Sequence, residues 1–279
     1  MLLRNLEELN RTLSALDKGA SIGLVPTMGF LHNGHLSLIE RARKENDIVI
    51  LSVFLNPTQF APGEDLDSYP KDLERDVNLA KEKGVDYIFA PTPEIMYPDG
   101  FSTYVEVQGA YTEVLCGRSR PTHFKGVTTV LTKLFNLTRA NRAYFGMKDA
   151  QQLSVVKKMV LDMNIPIEIV PCPIIRDEDG LALSSRNTYL NDEERKQALI
   201  LNQTIREAKQ LVLDGERDVN TIVTFVKEKI NTMPLADIDY VEIVDFNTMR
   251  DINKVSEGSL LALAVRFGST RLLDNTILL

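Results

Sequence analysis

Two histidines, His32 and His35, lie three residues apart where a short apolar strand (Ser21 to Met28) is predicted to turn through glycine into a helix. The N–H groups at a helix start and the positive end of its dipole attract anions. Residues i and i+3 of a helix share one side, so both imidazoles could donate hydrogen bonds to phosphate oxygens that gain charge in a transition state. The alternative is two ordinary histidines at a helix shoulder. Because the chain has 3 histidines and two of them lie in this loop, the pattern favours a phosphate site.

A second group of polar side chains follows the next predicted strand, Asp47 to Leu55. Asn56 and Gln59 offer neutral amides between two aromatic residues, Phe54 and Phe60. Apolar walls with a few convergent hydrogen-bonding groups suit a small polar organic substrate. The alternative is an Asn-Pro turn that does no more than end the strand.

A third group follows a later strand, within the segment from Phe145 to Gln152. Lys148 is a compact cation on a flexible stem and could bind phosphate. Asp149 could cap a helix or bind ribose hydroxyls, and Gln152 lies one turn along on the same side. A solvated Lys-Asp pair at a helix cap is the alternative, and it is the more common outcome for such a pair.

A fourth group combines two hydroxyls with a guanidinium, in Ser184, Ser185 and Arg186, on a loop that begins near Gly180. An arginine fork and serine hydroxyls can wrap a polyphosphate. Taken alone, the same residues would indicate an exposed linker loop. Their meaning therefore depends on the other groups.

The elements that must position these groups alternate between strand and helix over the first 175 residues. Strands regularly separated by helices indicate right-handed crossovers and a Rossmann-like, doubly wound parallel sheet of the α/β class. The ligand site of such a sheet lies beyond the carboxyl ends of its strands. The chemistry is therefore expected directly after strands, in the segments Pro26–His35, Leu55–Phe60 and Phe145–Gln152.

The remainder of the chain has a different pattern. Two helices precede two strands, which predicts a smaller α+β domain. Charged residues after Arg176 mark the boundary, giving a first domain over 1–175 and a second over 176–279. The predicted helices are Asp192 to Gly215 and Val219 to Met233, and the predicted strands are Asp237 to Phe246 and Ser259 to Phe267.

Composition excludes several classes of protein. Lys plus Arg number 32 against 39 Asp plus Glu, and a net charge of −7 makes the chain a poor general binder of nucleic acid. The longest uncharged run, Gly19 to Ile39, contains glycines, a proline and two histidines, so no membrane helix or membrane partner is expected. Cys116 and Cys172 show neither CxxC nor zinc-ligand spacing, and two unpaired thiols suit the cytoplasm.

The order of these groups resembles a known family. A histidine-containing helix entry and a later Ser-Ser-Arg loop are similar to those of the HIGH-type nucleotidyltransferases, relatives of class I aminoacyl-tRNA synthetases. Seven blocks together resemble the narrower family of pantoate–β-alanine ligases, the pantothenate synthetases. They are PTMGFLHNGHLSLI, FLNPTQF, EDLDSYP, MYPDG, RPTHFKGVTTVLTKLF, FGMKDAQQL and RDEDGLALSSRN.

The resemblance implies a Rossmann-like domain with a smaller C-terminal domain, and a cytoplasmic homodimer of coenzyme A synthesis. The implied reaction joins (R)-pantoate to β-alanine with ATP and Mg²⁺, without a tightly bound organic cofactor, and releases AMP and pyrophosphate. The adenylate of pantoate would form first, and the amine of β-alanine would then displace AMP. A loop hinged near Gly180 would close to exclude water.

The resemblance also assigns roles to residues of this sequence. Catalytic roles fall on His32, His35, Lys148 and Arg186, with His35 in the position usually labelled proton donor. ATP would contact Met28, Gly29, Phe30, Leu31, His32, Asn33, Gly34, His35, Gly146, Met147, Lys148, Asp149, Ile175, Leu183, Ser184, Ser185 and Arg186. Pantoate and β-alanine would contact Asn56, Gln59 and Gln152, and Asp76 matches an acidic position near the metal.

Two positions depart from the family pattern. Met147 replaces the family's usual Glu and Ala150 its usual aromatic residue, for which we expect altered packing and retained activity.

Two other functions stay open from the residues. A nucleotidyltransferase acting on a phosphate monoester would need cations where Asn56 and Gln59 stand. A non-catalytic nucleotide-binding regulator would have no reason to keep both the loop with His32 and His35 and the loop with Asn56 and Gln59. Size and acidity disfavour a tRNA synthetase.

Overall fold

Strands and helices alternate along the first two thirds of the chain. The structure is a computed structural model that describes all residues 1–279. The strands are β1 Leu2–Leu3, β2 Ile22–Thr27, β3 Ile48–Val53, β4 Tyr87–Phe89, β5 Arg142–Gly146, β6 Glu168–Cys172, β7 Ala236–Asp245, β8 Ser259–Phe267 and β9 Thr270–Ile277. The helices are α1 Leu6–Ser14, α2 Asn33–Glu45, α3 Leu73–Glu82, α4 Pro93–Met96, α5 Ala110–Glu113, α6 Leu115–Ser119, α7 His123–Thr138, α8 Ala150–Asp162, α9 Asp192–Ala198, α10 Ile200–Leu213 and α11 Val219–Ile230. None of these helices is both long and apolar enough to cross a membrane.

The first six strands form one parallel sheet in the order β1-β4-β3-β2-β5-β6. Val49 and Leu51 of β3 pack in a core cluster with residues of α2 and α3. Ile50 points to the opposite face, because side chains alternate along a strand, and it is also fully buried. Burial on both faces explains the unbroken apolar run of this strand and confirms the predicted doubly wound α/β fold.

The strand order reverses at β2. The chain moves from β2 outward through β3 and β4, and then returns to place β5 on the other side of β2. Ligands of open α/β sheets bind outside the carboxyl ends of the strands at such a reversal. The carboxyl ends of β3, β2 and β5 are neighbours in the sheet, and each leads into one of the three segments predicted to carry chemistry.

Contacts divide the chain into two compact units. The first comprises Met1–Val107, Thr122–Met147 and Val155–Pro173, and the second comprises Gln108–Pro121, Lys148–Ser154 and Ile174–Leu279. This division places the residues around α5 and α6, and the first turn of α8, with the C-terminal part of the chain. It differs from a boundary at residue 175 in these two segments and in Ile174 and Ile175, which belong to the second unit.

The second unit contains an antiparallel sheet in the order β7-β8-β9. Leu261, Leu263 and Val265 of β8 are fully buried and share one core with residues of α10 and α11. The predicted α+β character of this part is present in these elements. The strand β9 is additional to the prediction.

Several element bounds differ from those read from the sequence. The helix predicted from Asp192 to Gly215 is two helices, α9 and α10, which meet at Leu199. Neither glycine nor proline marks this break in the sequence. The sequence pattern also predicts a helix from Leu36 to Asn46 and another from Val127 to Thr138, but α2 begins at Asn33 and α7 at His123, three and four residues earlier. In α2 the earlier start follows from the side-chain cap that His32 provides.

Candidate active site

The turn after β2 has an unusual backbone. Gly29 and Phe30 both have positive φ, at 88° and 51°. Such values cost little for glycine, whereas for phenylalanine they require stabilisation by the surroundings. A Cβ at Gly29 would lie 3.1 Å from Asp76 Oδ2, so only glycine fits here without movement of its neighbours. The Thr27 hydroxyl accepts from the Gly29 N–H at 3.2 Å and donates to the Ser52 carbonyl at 2.8 Å.

Asp76 lies in the first turn of α3 and accepts hydrogen bonds from the turn that follows β2. Its Oδ2 accepts from the Phe30 N–H and its Oδ1 from the Leu31 N–H, each at 2.7 Å. The side chain is 1% exposed. Burial raises the pKa of the Asp76 carboxyl above its ordinary value, and the two backbone N–H groups oppose the rise. Both oxygens therefore already have donors, which favours a structural task in the turn. Metal binding by Asp76 stays a prediction.

The histidine pair forms the start of α2. Nδ1 of His32 accepts from the Gly34 N–H at 3.1 Å, and Nδ1 of His35 accepts from the His32 N–H at 3.3 Å. An imidazole nitrogen that accepts carries no proton, so this pattern assigns the proton of each neutral ring to Nε2. The ring centroids are 4.0 Å apart. Each ring thus combines a backbone cap at one nitrogen with a hydrogen-bond donor at the other.

The side-chain amides of Asn56 and Gln59, after β3, are linked to each other. They are also linked to the segment Met28–His35, called the histidine turn below. Asn56, 1% exposed, caps the short 3₁₀ helix Pro57–Gln59. Its Nδ2 donates to Gln59 Oε1 at 3.0 Å. The Gln59 Nε2 donates to the thioether sulfur of Met28 at 3.0 Å, so the two loops meet. Thioether sulfur is a weak acceptor, and a substrate oxygen would be a stronger one.

The start of α7 approaches this turn closely. A Cβ at Gly126 would lie 2.4 Å from the Thr58 carbonyl oxygen, so no side chain is tolerated there without a shift of backbone. The Gly126 carbonyl accepts from Asn56 Nδ2 at 3.2 Å. The third histidine, His123, has Nδ1 2.9 Å from the Gln59 carbonyl oxygen. These contacts fix the backbone that carries Gln59.

Of the predicted residues in the second unit, Lys148, Asp149 and Gln152 lie around the start of α8. Lys148 Nζ is 3.7 Å from Asp149 Oδ1, and the Lys148 side chain is 19% exposed. The Lys148 carbonyl accepts from Asn275 Nδ2 at 2.8 Å. Gln152 is half-buried. The cation is therefore held on a backbone tied to β9.

The loop expected to bind polyphosphate is tied at its base. The Leu183 N–H donates to the Ile175 carbonyl at 3.0 Å, which brings two predicted ATP contacts together. Arg176 makes a two-point ion pair with Asp274, at 2.6 and 2.8 Å. The Ser184 hydroxyl accepts from the Arg186 N–H at 3.3 Å and starts a short 3₁₀ helix, Ser185–Tyr189. Closure of this loop stays a prediction.

The first unit thus brings together the residues predicted on its loops. The set is Met28, Gly29, Phe30, Leu31, His32, Asn33, Gly34, His35, Asn56 and Gln59, with Gly146 and Met147 at the end of the neighbouring strand β5. Asp76 joins them as the residue that holds the turn. Sequence reasoning assigned no role to Tyr97 or Gly126, both of which hydrogen-bond Asn56. Tyr97 belongs to the MYPDG block of the family resemblance, but nothing in that block signals a contact with Asn56, 41 residues away in the chain.

The chain is similar to known proteins along nearly its whole length. The sequence model described as pantoate-beta-alanine ligase matches residues 1–277. A pantothenate synthetase of Acetivibrio thermocellus is 55% identical over 99% of this chain and 97% of its own length. The crystal structure of pantothenate synthetase from Thermus thermophilus superposes with a TM-score of 0.95 at 45% identity, covering 99% of both chains.

A further solved structure carries ligands. It is the pantoate-beta-alanine ligase from Francisella tularensis complexed with beta-gamma ATP and beta-alanine, with a TM-score of 0.82 and 33% identity over 100% of this chain and 97% of that one. Matches of this extent and identity, together with the histidine turn and the amide loop, establish the family. The chain belongs to the pantoate-beta-alanine ligases.

Proposed function

We propose that this protein condenses pantoate with β-alanine at the expense of ATP, through a pantoyl adenylate, to give pantothenate, AMP and pyrophosphate. Family membership supports the overall reaction. The observation that carries the two-step form is the contact of Gln59 Nε2 with Met28 at 3.0 Å. It places a neutral amide donor, suited to a hydroxy acid, beside the turn whose histidines are suited to phosphate. Adenylation needs these two sites to adjoin.

In the first step a carboxylate oxygen of pantoate attacks the α-phosphorus of ATP. A P–O bond forms to the carboxylate, the bond between the α-phosphorus and the bridging oxygen breaks, and pyrophosphate leaves with the electron pair. Negative charge grows on the phosphoryl oxygens and on the leaving group. Donors fixed before the reaction stabilise such charge without reorganisation. We assign this task to the Nε2–H groups of His32 and His35, whose rings are already held by their Nδ1 atoms.

In the second step the free amine of β-alanine attacks the acyl carbon of the adenylate. A C–N bond forms, the C–O bond to AMP breaks, and the amine loses a proton to solvent. No protein nucleophile is needed. We propose that Lys148 and Arg186 neutralise phosphate charge, that Asp149 binds ribose, and that Gln152 assists Gln59 with pantoate. The remaining ATP contacts proposed are the residues of the histidine turn, Gly146, Met147, Ile175, and the loop Leu183 to Arg186.

Magnesium belongs to this proposal as an ion that accompanies ATP. The structure contains no group of three or more His, Cys, Asp or Glu side chains that could hold a metal ion. Asp76 is the acidic residue that we propose near this ion, and each of its oxygens accepts one backbone N–H group, which leaves a second lone pair on each oxygen. Magnesium commonly binds through substrate phosphates with few protein carboxylates. When bound it would neutralise charge on the phosphates.

The homodimer and the cytoplasmic location are also part of the proposal. Both rest on the family resemblance. Two free, buried cysteines, Cys116 and Cys172, support a reducing compartment. Sedimentation of the purified protein tests the dimer, since a monomer mass at assay concentrations would contradict it.

The test of the function is the substrate dependence of each product. Pyrophosphate release should require pantoate and should proceed without β-alanine, whereas AMP release should require both. Release of pyrophosphate with a phosphate monoester in place of pantoate would indicate a nucleotidyltransferase. Absence of turnover with every acceptor, together with ATP binding, would indicate a nucleotide-binding regulator. Either result would overturn the proposal.

A further inference from the structure

The orientation of the Gln59 amide decides which end of it would meet pantoate, a role of Gln59 that rests on the proposed function. A glutamine amide has a donor end and an acceptor end, and which end faces outward decides whether it can bind an anion. In this structure Gln59 Oε1 faces inward to Asn56 Nδ2, at 3.0 Å. Its Nε2 therefore faces the histidine turn, where a substrate oxygen could replace the Met28 sulfur as acceptor.

The orientation of Asn56 is fixed in turn by a group that can only accept. Its Nδ2 lies 3.2 Å from the Gly126 carbonyl oxygen. A backbone carbonyl has no proton to donate, so the Nδ2 end of Asn56 must face Gly126 and Gln59. The Oδ1 end then points the opposite way.

Two hydroxyl groups donate hydrogen bonds to the Oδ1 atom of Asn56. The Tyr97 hydroxyl donates to it at 2.7 Å and the Thr58 hydroxyl at 2.9 Å. Burial raises the pKa of Tyr97 above its ordinary value, so the phenol keeps its proton and donates throughout the neutral range. The Tyr97 ring is held by Phe54 and Phe101, with centroids 6.1 and 5.0 Å away.

We propose that Tyr97 is a positioning residue for the hydroxy acid substrate: its hydroxyl holds Asn56 Oδ1, and Asn56 holds Gln59 with the donor end outward. The direction of the relay is set by chemistry at each link. A tyrosine hydroxyl donates to an amide oxygen, an amide nitrogen donates to an amide oxygen, and the last amide nitrogen donates to an oxygen of pantoate. Tyr97 itself need not touch the substrate.

The test compares Tyr97→Phe with Tyr104→Phe. The first keeps the packed ring and loses one hydroxyl, and the second loses the hydroxyl of a 47% exposed tyrosine at the outer end of the same aromatic row. Loss of one hydrogen bond should raise the KM for pantoate about three- to tenfold in Tyr97→Phe. The KM for ATP should stay within about twofold, because the relay ends at the hydroxy acid. Tyr104→Phe should match the unsubstituted protein.

A second variant separates positioning from general damage. Thr58→Val removes the other hydroxyl donor to Asn56 Oδ1, and combining it with Tyr97→Phe leaves that buried oxygen with the Thr58 backbone N–H alone, at 3.4 Å. The double variant should raise the KM for pantoate more than the product of the two single effects, with ATP still unaffected. An unchanged KM for pantoate, or an equal rise for both substrates, would overturn the inference. Pantoate-independent pyrophosphate release by the unsubstituted protein would overturn the proposed function and this inference with it.

Discussion

The Nδ1 atom of His35 accepts a hydrogen bond from the backbone N–H of His32, with 3.3 Å between the two nitrogens. One imidazole therefore serves both the fold and the proposed chemistry, through different atoms. The ring nitrogen that caps α2 is separate from the one that would meet phosphate. Substitutions that imitate one nitrogen and remove the other can tell these tasks apart.

His35→Asn imitates the inner nitrogen. An asparagine oxygen lies close to the position of Nδ1, so the cap on the His32 N–H is retained while the outer donor is lost. We expect a free energy of unfolding within about 0.5 kcal/mol of the original. Pantoate-dependent pyrophosphate release should fall roughly 100-fold or more, as expected for loss of a fixed transition-state donor. Urea unfolding and single-turnover kinetics measure the two quantities.

His35→Gln is the complementary control, because a glutamine nitrogen reaches toward the position of Nε2 and abandons the cap. It should lose stability by about 1 kcal/mol and retain more activity than His35→Asn. Equal activity in the two variants would mean that the outer nitrogen has no part in the reaction.

Asp76→Asn replaces one of two acceptors by a donor that faces a backbone N–H. One of the bonds to Phe30 and Leu31 is lost, and the turn that carries the histidines should shift. We expect activity about 10- to 100-fold lower, since displacements near 1 Å have such effects. Asp72→Asn is the matched control, because Asp72 caps α3 through the Arg75 N–H at 3.0 Å and asparagine caps as well as aspartate. Equal activity of the two variants would contradict the task given to Asp76.

The pH dependence of stability should carry a signature of Asp76. Burial raises the pKa of its carboxyl in the folded state above the ordinary 3.8, so the folded state binds the proton more readily than the unfolded state. The contribution of this group to stability is then full below that ordinary value and is lost as pH rises through the folded pKa. The unfolding free energy of the wild type minus that of Asp76→Asn should therefore be larger near about pH 4 than near about pH 7. A difference that grows with pH would show that the two N–H groups outweigh burial.

Gly146 lies at the end of β5, where nucleotide contact is proposed. A Cβ there would meet nothing within 4 Å, so Gly146→Ala is permitted by the chain itself. We expect unchanged or slightly higher stability, by up to about 1 kcal/mol, and a KM for ATP raised about tenfold if the nucleotide approaches this backbone. Gly19→Ala, at an exposed position with only Asp17 Oδ1 3.8 Å away, controls for the change of residue type. A normal KM for ATP would place the nucleotide elsewhere.

The sequence predicted the parallel sheet well, because burial on both faces leaves an unambiguous apolar run, as in Ile48–Val53. Strand β9 was not predicted from the sequence pattern. It contains Asp274, whose side chain is 2% exposed, and a buried carboxylate argues against a strand unless its partner is known. That partner, Arg176, is 98 residues away in the chain. Long-range pairing of this kind leaves no periodic signal.

The candidate site likewise contains residues that the sequence could predict and residues that it could not. Parallel topology alone puts the loops after β2, β3 and β5 at one edge of the sheet, so their polar residues could be grouped before any coordinates. The residues that hold those loops in place could not be predicted from the sequence. Gly126 is needed for the close approach of one backbone to another, and Asp76 reaches Phe30 across 46 positions. Both depend on tertiary packing, and each residue taken alone looks ordinary.

The ion pair of Arg176 with Asp274 should contribute strongly to stability, because the Asp274 carboxylate is buried. Both Asp274 oxygens accept from the guanidinium, at 2.6 and 2.8 Å, and the carboxylate is nearly without solvent. Arg176→Ala would leave that charge buried and unpaired, so we expect a loss of about 3–5 kcal/mol in unfolding free energy. Arg195→Ala is the control, since Arg195 pairs with Asp177 and Asp179 at 2.7 and 2.8 Å while these side chains are about one third exposed. It should cost less than about 1 kcal/mol. Adding Asp274→Asn to Arg176→Ala should recover part of the loss, because the orphaned group is then neutral. Equal losses in the two arginine variants, measured by urea unfolding, would show that the pair at the base of the loop is no more than a surface contact.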